Sequence, residues 1–395
     1  DRVVVSQIHR APGVVFSISK KLKDFRGHAY HLARLIPSRG SWLDFEFDHN
    51  DLLYVRIDKK KKLLATTFLQ ALGIPRDEIL PLFYQCEDIV ITKDAFVRPV
   101  NASLIGLRIE AGALSDELAP KFRVGKRITQ EVIDELLKEK VRELIVRDTS
   151  LVSRVVGHDV VDDKTGELIL EQGSTLALDD LETLRRANVR TVSLVRSAGY
   201  VVPPFMALTL AQDKALTHED ALREVYYRLR PGDIPTVQIM EEYVQNMFFN
   251  PRFYDMTIVG RIRTNRKLGL KTAESVTHLT KEDVIATIRY LIDLRERGEG
   301  SLDDIDHLGN RCVRLVGELM ENQLYAGFAR VEKIVRERFR LQENVASLMP
   351  YDFLNVKPLA AVMREFFGTG QLSQFMDQTN PLAEMAHKRR ISALG

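Results

Sequence analysis

The sequence predicts an α+β fold of several subdomains, with an inserted α/β repeat unit followed by a helix-rich segment. Short strand and helix patterns alternate as far as about residue 208, and helical patterns dominate afterwards. A repeat with a period of 48 residues marks the inserted unit. The chain has 395 residues, which exceeds the roughly 250–300 that one hydrophobic core usually serves. We therefore expect two to three domains.

The composition is close to that of an ordinary soluble globular protein. Hydrophobic residues make up 45% and charged residues 28% of the chain, and the formal net charge is +2. This small net charge excludes a polycation, so nucleic-acid binding would need local basic patches. Cys86 and Cys312 are too distant for a zinc knuckle, and they predict a reducing compartment without disulfides. The sequence shows neither a signal peptide nor an apolar run long enough for a membrane span.

Strand patterns fill the start of the chain. The β-branched run Arg2–Gln7 predicts one strand. Apolar and acidic residues alternate over Trp42–Asp48, which predicts a half-buried strand, and Leu52–Asp58 is its expected partner. A helix is predicted over about 64–72, where Gly73 ends it.

The repeat lies between about 85 and 208, in a region that we interpret as an insertion domain. Each copy reads as a glycine turn, an amphipathic helix and a strand. Two copies predict a duplicated small unit, because a solenoid needs at least three. The matching positions are Gly125, Ile128, Ile133, Leu136, Val141, Arg142 and Leu144 in the first copy, and Gly173, Leu176, Leu181, Leu184, Val189, Arg190 and Val192 in the second.

Helical patterns continue to the end of the chain. Thr280 and the acidic residues after it predict a helix start. Apolar spacing predicts a long helix further on, and Pro358 with Gly368 brackets another. The predicted helices cover about 280–297, 311–341, 358–368 and 381–390.

Two acidic patterns each admit a metal site or a solvated surface. Asp303–Asp306 could hold Mg²⁺, as paired aspartates do in polymerases. It lacks the glycine and the further ligands of a calcium loop, so its pattern alone favours a solvated turn. The alternating Asp44, Glu46 and Asp48 favour a solvated strand face.

Basic and aromatic residues are open to two interpretations as well. Arg330 and Lys333 lie three residues apart on one helix face, where they could straddle a nucleic-acid backbone or be ordinary exposed charges. Trp42, the single tryptophan, could belong to the core or stack on an unpaired base. A further basic group could bind phosphates or form a solvated face; it consists of Arg261, Arg263, Arg266 and Lys267.

The C-terminal segment 366–381 is dense in Gln, Ser, Asn and Asp between apolar residues, and the basic run His387–Arg390 follows it. Such a segment suits a surface that hydrogen-bonds a nucleic-acid backbone or a polar ligand. The sequence shows no set of nucleophile, base and orienting residue at a recognisable spacing. Acyl-transfer chemistry is therefore unsupported.

Four segments, in the family's order, closely resemble bacterial RNA polymerase β subunits. Residues 370–395 resemble the rifamycin-resistance region, and the other segments are Val4–Gly13, Arg39–Asp48 and Asp303–Arg311. The resemblance covers essentially the whole chain, and the insertion matches least well. We expect an internal segment of a longer subunit, since both ends of the sequence look cut.

The resemblance implies an order of segments along the chain, in which lobe and protrusion form one wall of the DNA cleft. These segments are a protrusion strand (1–10), the first stretch of the lobe (11–84), a lineage-type lobe insertion (85–208), the second stretch of the lobe (209–305), the protrusion return (306–366), and the rifamycin region with the start of the fork (367–395).

The resemblance also implies DNA-binding residues. A pocket that captures a flipped non-template guanine would consist of Arg10, Ile305, Asp306 and Arg311. A carboxylate can accept from the Watson–Crick edge of guanine, and arginine supplies donors and stacking. Trp42 resembles the residue that stacks on the neighbouring base, and Arg330 and Lys333 resemble contacts to the upstream non-template strand.

A rifamycin pocket beside the path of the first RNA nucleotides is implied in the same way. Its walls would be Gln7, Gln374, Phe375, Asp377, His387, Arg390, Ser392 and Leu394. The departures from the commonest family pattern leave the main polar contacts in place, but leave the drug affinity open; they are Thr369, Gly370, Thr379, Ala383, Met385 and Ala386.

As a family member, the chain would be part of a nucleotidyltransferase, with no catalytic residue, metal site or bound cofactor in this segment. Mg²⁺ would sit on the β′ subunit. Expected partners are the α, β′, ω and sigma subunits, promoter and downstream DNA, nascent RNA and regulatory factors on the lobe, in the cytoplasm at the nucleoid and without a membrane. The alternative is a stand-alone module that docks transcription factors through the acidic strand face and the repeat.

Overall fold

The computed structural model describes residues 2–23, 29–59, 62–92, 95–101, 104–109, 112–114, 122, 125–139, 141–162, 164–187, 189–196, 204–233, 235–341 and 349–394. It forms two compact units. The terminal unit comprises Asp1–Ala11 with Asp303–Gly395, and the central unit comprises Pro12–Leu302. The mixture of helices and small sheets confirms the predicted α+β class. Among the described residues, no helix is long and apolar enough to cross a membrane.

The elements are numbered in chain order. The strands are β1 (Arg2–Val4), β2 (Ser6–Arg10), β3 (Gly13–Lys23), β4 (Ala29–Ile36), β5 (Leu43–Phe47), β6 (Leu53–Ile57), β7 (Leu63–Leu64), β8 (Cys86–Ile91), β9 (Phe96–Pro99), β10 (Glu143–Val146), β11 (Val160–Val161), β12 (Leu168–Leu170), β13 (Thr191–Val195), β14 (Arg311–Arg314), β15 (Ser373–Phe375) and β16 (Ile391–Ser392). The helices are α1 (Ala65–Ala71), α2 (Arg76–Phe83), α3 (Gln130–Lys138), α4 (Asp148–Leu151), α5 (Leu178–Arg186), α6 (Phe205–Ala211), α7 (His218–Leu229), α8 (Val237–Phe248), α9 (Thr257–Leu268), α10 (Lys281–Glu296), α11 (Val316–Leu341), α12 (Pro350–Phe353), α13 (Lys357–Gly368) and α14 (Pro381–Lys388).

An antiparallel sheet in the order β3-β4-β5-β6-β7 supports the core of the central unit. The strands predicted around 42–58 are confirmed as β5 and β6, with Phe45 opposite Val55. Both side chains are fully buried. Helices cover the apolar face, and the Phe68 ring of α1 lies 6.4 Å from Phe45 and 5.7 Å from Phe248 of α8. The alternation of the strand sequence therefore defines the face that forms the core.

The predicted helix over 280–297 is confirmed as α10. The Thr280 hydroxyl accepts from the Asp283 backbone N–H, and the Asp283 carboxylate accepts from the Thr280 N–H at 2.8 Å. This reciprocal capping satisfies donors that a helix start otherwise leaves open.

The inserted part of the central unit confirms the repeat. Its sheet runs β10-β9-β8-β13, so that each copy of the repeat contributes one strand to the sheet. Each copy begins at a glycine with positive φ, +82° at Gly125 and +84° at Gly173, and continues with α3 or α5. Leu136 and Leu184, at equivalent positions, are fully buried in separate apolar clusters. Each copy therefore buries the apolar face of its own helix.

In the terminal unit, β2 lies between β14, which is antiparallel, and β16, which is parallel. The strand predicted over Arg2–Gln7 is wrong as a single element, because β1 pairs with β15 while β2 pairs with the other two strands. The chain changes partner at Val5, which is fully buried and whose N–H donates to the Leu372 carbonyl. The β-branched run Val3–Val5 continues up to the break, so the break leaves no local signal.

The long helix predicted over 311–341 begins later, at Val316. Residues Arg311–Arg314 form β14 and bond to β2. Over so short a segment, the spacing of apolar residues cannot distinguish a helix from a strand. The pairing with β2 makes this segment a strand. The later helices are confirmed as α13 and α14, and the Asn380 side chain caps α14 by accepting from the Leu382 N–H at 3.0 Å.

Candidate nucleic-acid interface

Two arginines predicted to contact a base lie directly opposite each other in the terminal unit. Arg10 ends β2, Arg311 begins β14, and the two are partners in the antiparallel register. Opposed residues in such a pair project to the same face with Cβ atoms about 4.5–5.5 Å apart. Both side chains are half-buried. The sheet therefore presents two guanidinium groups side by side.

The turn that carries Ile305 and Asp306 is tied to the same strands. The Asp306 N–H donates to the Asp304 carboxylate at 3.0 Å, and the Asn310 side-chain amide donates to the Asp304 backbone carbonyl at 2.6 Å. The Asn310 carbonyl in turn accepts from the Ala11 N–H at 3.0 Å. These bonds hold the turn between the end of β2 and the start of β14. The structure therefore places the predicted guanine-contacting residues in one small region.

Three of the residues predicted to line a rifamycin pocket lie together around β16. Gln7 and Ser392 are partners in the parallel pairing of β2 with β16. The Gln7 amide donates to the Leu394 carbonyl at 3.3 Å, and the Leu394 N–H donates to the Ser392 hydroxyl at 3.1 Å. Gln7 is far in sequence from Ser392 and Leu394, and the strand pairing brings it beside them.

Asp377, His387 and Arg390, predicted for the same pocket, lie around Gln374 on β15. His387 Nδ1 accepts from the Asp377 N–H at 3.2 Å. The proton of a neutral ring must then sit on Nε2, which donates to Gln374 Oε1 at 3.1 Å. Arg390 reaches the same amide oxygen at 3.5 Å. The hydroxyl and the N–H of Thr379 donate to Asp377 and hold the pKa of its carboxyl below the ordinary value.

The contacts of Arg2 were not predicted from the sequence. Its guanidinium donates to the hydroxyl of Ser373 at 2.9 Å and to the Ser373 carbonyl at 2.8 Å. The Arg2 guanidinium carbon also lies 4.9 Å from the ring centroid of Phe375, which is 78% exposed. Arg2 therefore braces β15 from β1. An arginine at the start of a β-branched run carries no signal of this role.

Trp42 lies in the central unit and is half-buried, so it is not a core residue. Its backbone N–H donates to the Asp58 carboxylate at 2.8 Å. The cationic groups of Arg34 and Lys59 each lie 5.6 Å from the ring centroid. An accessible indole beside two cations is suited to contact an anionic strand with unpaired bases.

Arg330 and Lys333 are exposed on α11, as the spacing predicted. Lys333 lies 3.8 Å from Glu337, one turn further along the helix. Such a surface ion pair is weak, so the Lys333 ammonium group can turn to a phosphate backbone.

The basic group on α9 needs correction, because Arg261 is fully buried. Its guanidinium bonds the Asp283 carboxylate at 2.6 Å, the Val276 carbonyl at 2.6 Å and the His278 carbonyl at 2.5 Å. Arg261 therefore joins α9 to α10 and cannot reach a nucleic acid.

The acidic strand face is not a solvated surface at Asp44, which is 5% exposed. Arg34 bonds both carboxylate oxygens of Asp44, at 2.6 and 2.8 Å. Glu46 lies two residues further along β5 on the same face and accepts from Arg56 at 2.8 Å. These cross-strand pairs neutralise the surface that a docking module would use, which weakens that alternative.

No cluster of three or more His, Cys, Asp or Glu side chains that could hold a metal ion occurs within the described ranges.

Comparison with known proteins places these residues in a family. The family model described as RNA polymerase Rpb2, domain 2, matches residues 10–144 and 199–314, more than half of the chain. The unmatched stretch between them contains the second copy of the repeat. Curated proteins named DNA-directed RNA polymerase subunit beta are similar over 100% of the chain: 47% identity in Syntrophotalea carbinolica, 43% in Sorangium cellulosum and 43% in Myxococcus xanthus. The chain spans 29% of the length of these relatives.

Proposed function

Because this chain belongs to the family of DNA-directed RNA polymerase β subunits, we propose that it holds DNA and lines the path of nascent RNA in a polymerase. The observation that carries this proposal is the register of β2 with β14. It sets Arg10 opposite Arg311, beside the tethered turn that bears Asp306. Catalysis itself would belong to the assembled enzyme, with Mg²⁺ held by another subunit.

The arginine pair and Asp306 form a base reader. The Watson–Crick edge of guanine offers N–H donors, which the exposed Asp306 carboxylate can accept. The guanidinium groups of Arg10 and Arg311 provide donors and flat surfaces for stacking. Ile305 adds an apolar wall. The pocket would thus capture one unpaired guanine, with Trp42 stacking on a neighbouring base and Arg330 and Lys333 contacting the strand backbone.

Replacing Asp306 with Ala in an assembled polymerase is expected to remove most of the preference for guanine at the captured position. A well-made base contact contributes about 1–3 kcal/mol of discrimination, so the preference should fall by roughly 5- to 150-fold. The lifetime of promoter complexes that carry each of the four bases at this position measures the effect.

The matched control is Asp303→Ala, which removes a carboxylate from the same turn outside the proposed pocket. It should leave the preference for guanine intact. If wild type and Asp306→Ala respond equally to all four bases, the base-reader assignment is wrong.

The polar surface around Gln374 and Ser392 would guide the first RNA nucleotides, and rifamycin would occupy the same place. Its support is the bonding of Gln7, Ser392 and Leu394 on one side and of Gln374, His387 and Asp377 on the other. The side chains of Gln7, Gln374, His387 and Ser392 each bond a neighbour, so this part of the surface is already ordered for a ligand.

Replacing His387 with Ala is expected to weaken rifamycin inhibition by about ten-fold or more. The change removes one side chain of the pocket wall. It also breaks the hydrogen bonds of the His387 ring with the Gln374 amide oxygen and the Asp377 N–H, and each lost bond costs about 1 kcal/mol or more. The measurement is the rifamycin concentration that halves RNA synthesis.

Lys388→Ala provides the comparison, since Lys388 is the next residue of α14 and bonds Glu384 on the exposed side. Its inhibition curve should match the wild type. Unchanged inhibition in His387→Ala and in a bulky Ser392→Phe variant would contradict the pocket.

The remaining expectations follow from the family. We propose the α, β′, ω and sigma subunits, promoter and downstream DNA and nascent RNA as partners, in the cytoplasm. Regulatory factors would bind the lobe and its insertion.

A further inference from the structure

Trp42 is attached to both of the strands that flank its own. It immediately precedes β5, which lies between β4 and β6 in the antiparallel sheet of the central unit. Trp42, Asp44 and Glu46 alternate with other residues, so their side chains project from the same face of the sheet. This face is the polar one, because Leu43 and Phe45 belong to the apolar core. The indole therefore lies at one end of a polar sheet face.

The backbone of Trp42 is fixed by one residue of the turn after β6. The Asp58 N–H donates to the Trp42 carbonyl at 3.0 Å, and the Trp42 N–H donates to the Asp58 carboxylate at 2.8 Å. Asp58 and Lys59 both have positive φ, +49° and +59°. Consecutive residues other than glycine are uncommon in this left-handed region, and they persist where surrounding contacts impose the conformation. The two hydrogen bonds supply such contacts, so Trp42 and the turn stabilise each other.

The side chain of Arg34 reaches the indole from β4. Arg34 and Asp44 are partners in the antiparallel register of β4 with β5. The Nε and Nη2 atoms of Arg34 donate to the two carboxylate oxygens of Asp44, at 2.6 and 2.8 Å. A bidentate pair of this kind fixes the plane of the guanidinium as well as its position. The central carbon of the guanidinium lies 5.6 Å from the centroid of the Trp42 ring, within the range of a cation–π contact.

A second arginine of the same face is directed away from the indole. Arg56 is opposite Asp44 in the register of β5 with β6, yet its Nε bonds Glu46, which is further from Trp42 along β5. The pair of Arg34 with Asp44 is also the better shielded from water. Its side-chain exposures are 18% and 7%, against 36% and 23% for Arg56 and Glu46. Of the two arginines that flank Asp44, Arg34 is thus the one that supports the ring.

An indole that is already oriented loses less conformational freedom when it stacks on a base. A tryptophan side chain rotates about two bonds, and ordering it on binding lowers the affinity. Neighbouring residues that pack against the side chain beforehand remove this cost. The pair of Arg34 with Asp44 is placed to do so, since it contacts the ring and is not itself among the proposed DNA contacts.

We propose that Arg34 is a positioning residue for Trp42. Held by both oxygens of Asp44, it keeps the indole in the orientation that stacks on an unpaired base. Asp58 fixes the backbone of Trp42, and the Lys59 ammonium group approaches the same ring from the turn after β6, 5.6 Å from its centroid. The inference rests on the proposed stacking of Trp42 and adds that this stacking depends on residues which do not touch the DNA.

The first test is time-resolved fluorescence anisotropy of the full 395-residue chain, in which Trp42 is the single tryptophan. Arg34→Gln is expected to add a fast local motion of the indole and to increase the quenching of its emission by acrylamide. The matched control is Arg56→Gln, which removes the other arginine that flanks Asp44. Its anisotropy decay and quenching should equal those of the wild type.

A further variant covers the case in which Arg34→Gln fails to fold, because that change leaves the buried Asp44 carboxylate without its ion-pair partner. Arg34→Gln combined with Asp44→Asn removes both charges and retains side chains of similar size. It should show the same added motion of the indole, with the circular dichroism spectrum of the wild type.

The second test uses an assembled polymerase and promoter complexes in which the base beside the captured guanine is either present or replaced by an abasic site. Removing this base should shorten the lifetime of the wild-type complex, and Trp42→Ala should abolish that difference. With the base present, Arg34→Gln should shorten the lifetime by roughly 2- to 10-fold, the effect of ordering one freed side chain. The abasic complex of Arg34→Gln, and both complexes of Arg56→Gln, should have wild-type lifetimes.

The inference is overturned if the indole moves in Arg34→Gln as it does in the wild type, or if Arg34→Gln and Arg56→Gln free it equally. An indole that is freed without any change in the lifetime of the complex would equally overturn the link to stacking. Failure of the proposed stacking itself has a different signature. The wild type and Trp42→Ala would then be equally insensitive to the abasic site, and Arg34 would have no part in DNA binding whatever the fluorescence shows.

Discussion

Replacing Arg261 with Ala is expected to lower the free energy of unfolding of the central unit by about 3–5 kcal/mol. Arg261 and Asp283 form an ion pair at 2.6 Å in which both side chains are fully buried. Removing the guanidinium leaves the Asp283 carboxylate buried without its charge partner, and leaves the Val276 and His278 carbonyls without their donor. Urea denaturation followed by circular dichroism measures the change.

Two further variants separate the pair from a general loss of charge. Arg266→Ala, at an exposed position of the same helix, should change stability by about 0.5 kcal/mol or less, as surface substitutions usually do. Arg261→Met combined with Asp283→Leu should cost less than Arg261→Ala, because no unpaired charge remains. The double variant still loses the Asp283 cap of α10, which is worth about 1 kcal/mol. A double variant less stable than Arg261→Ala would show that the pair itself, rather than the orphaned charge, dominates.

Replacing Asp213 with Ala is expected to destabilise the central unit by about 3–5 kcal/mol, since each abandoned buried donor costs about 1–3 kcal/mol. Asp213 is 6% exposed. Its carboxylate accepts from Thr66 at 2.6 Å, Thr67 at 2.9 Å, Gln70 at 3.1 Å and the Ala215 N–H at 2.9 Å. These bonds attach α1 to the segment after α6. The midpoint of thermal unfolding should fall clearly.

Asp213→Asn keeps the shape and one acceptor oxygen, so its loss should be intermediate. Lys214→Ala is the positional control, because Lys214 is exposed and adjacent in sequence. Equal stability of Asp213→Ala and Lys214→Ala would mean that solvent replaces the lost acceptor without cost.

Helix starts and the repeat could be read from the sequence because their causes are local. Thr280 and Asp283 are three residues apart, and they cap α10 at the predicted helix start. The repeat keeps Gly125 and Gly173 at turns with positive φ, where a side chain would strain the backbone. Apolar residues at helical spacing then form the two small cores.

Other features could not be read because their causes lie far along the chain. The break at Val5 follows from the different partners of β1 and β2. Arg261 resembles Arg263 and Arg266 in type and spacing, and its burial follows from α10 and the segment before it. Asp44 fits an alternating strand, yet Arg34 on the neighbouring strand bonds it closely enough to exclude water.

The candidate site depends both on local sequence patterns and on contacts between residues far apart in the chain. By itself, the sequence determined the α+β class, the repeat and the segments that carry Arg10, Asp306 and Ser392. These features depend on periodicity and on motifs, which can be read within short stretches of chain. Only the tertiary structure decided which of these residues meet. The hydrogen bond from Gln7 to Leu394 joins residues 387 positions apart, and such a partner is fixed by strand pairing and burial rather than by any pattern near either residue.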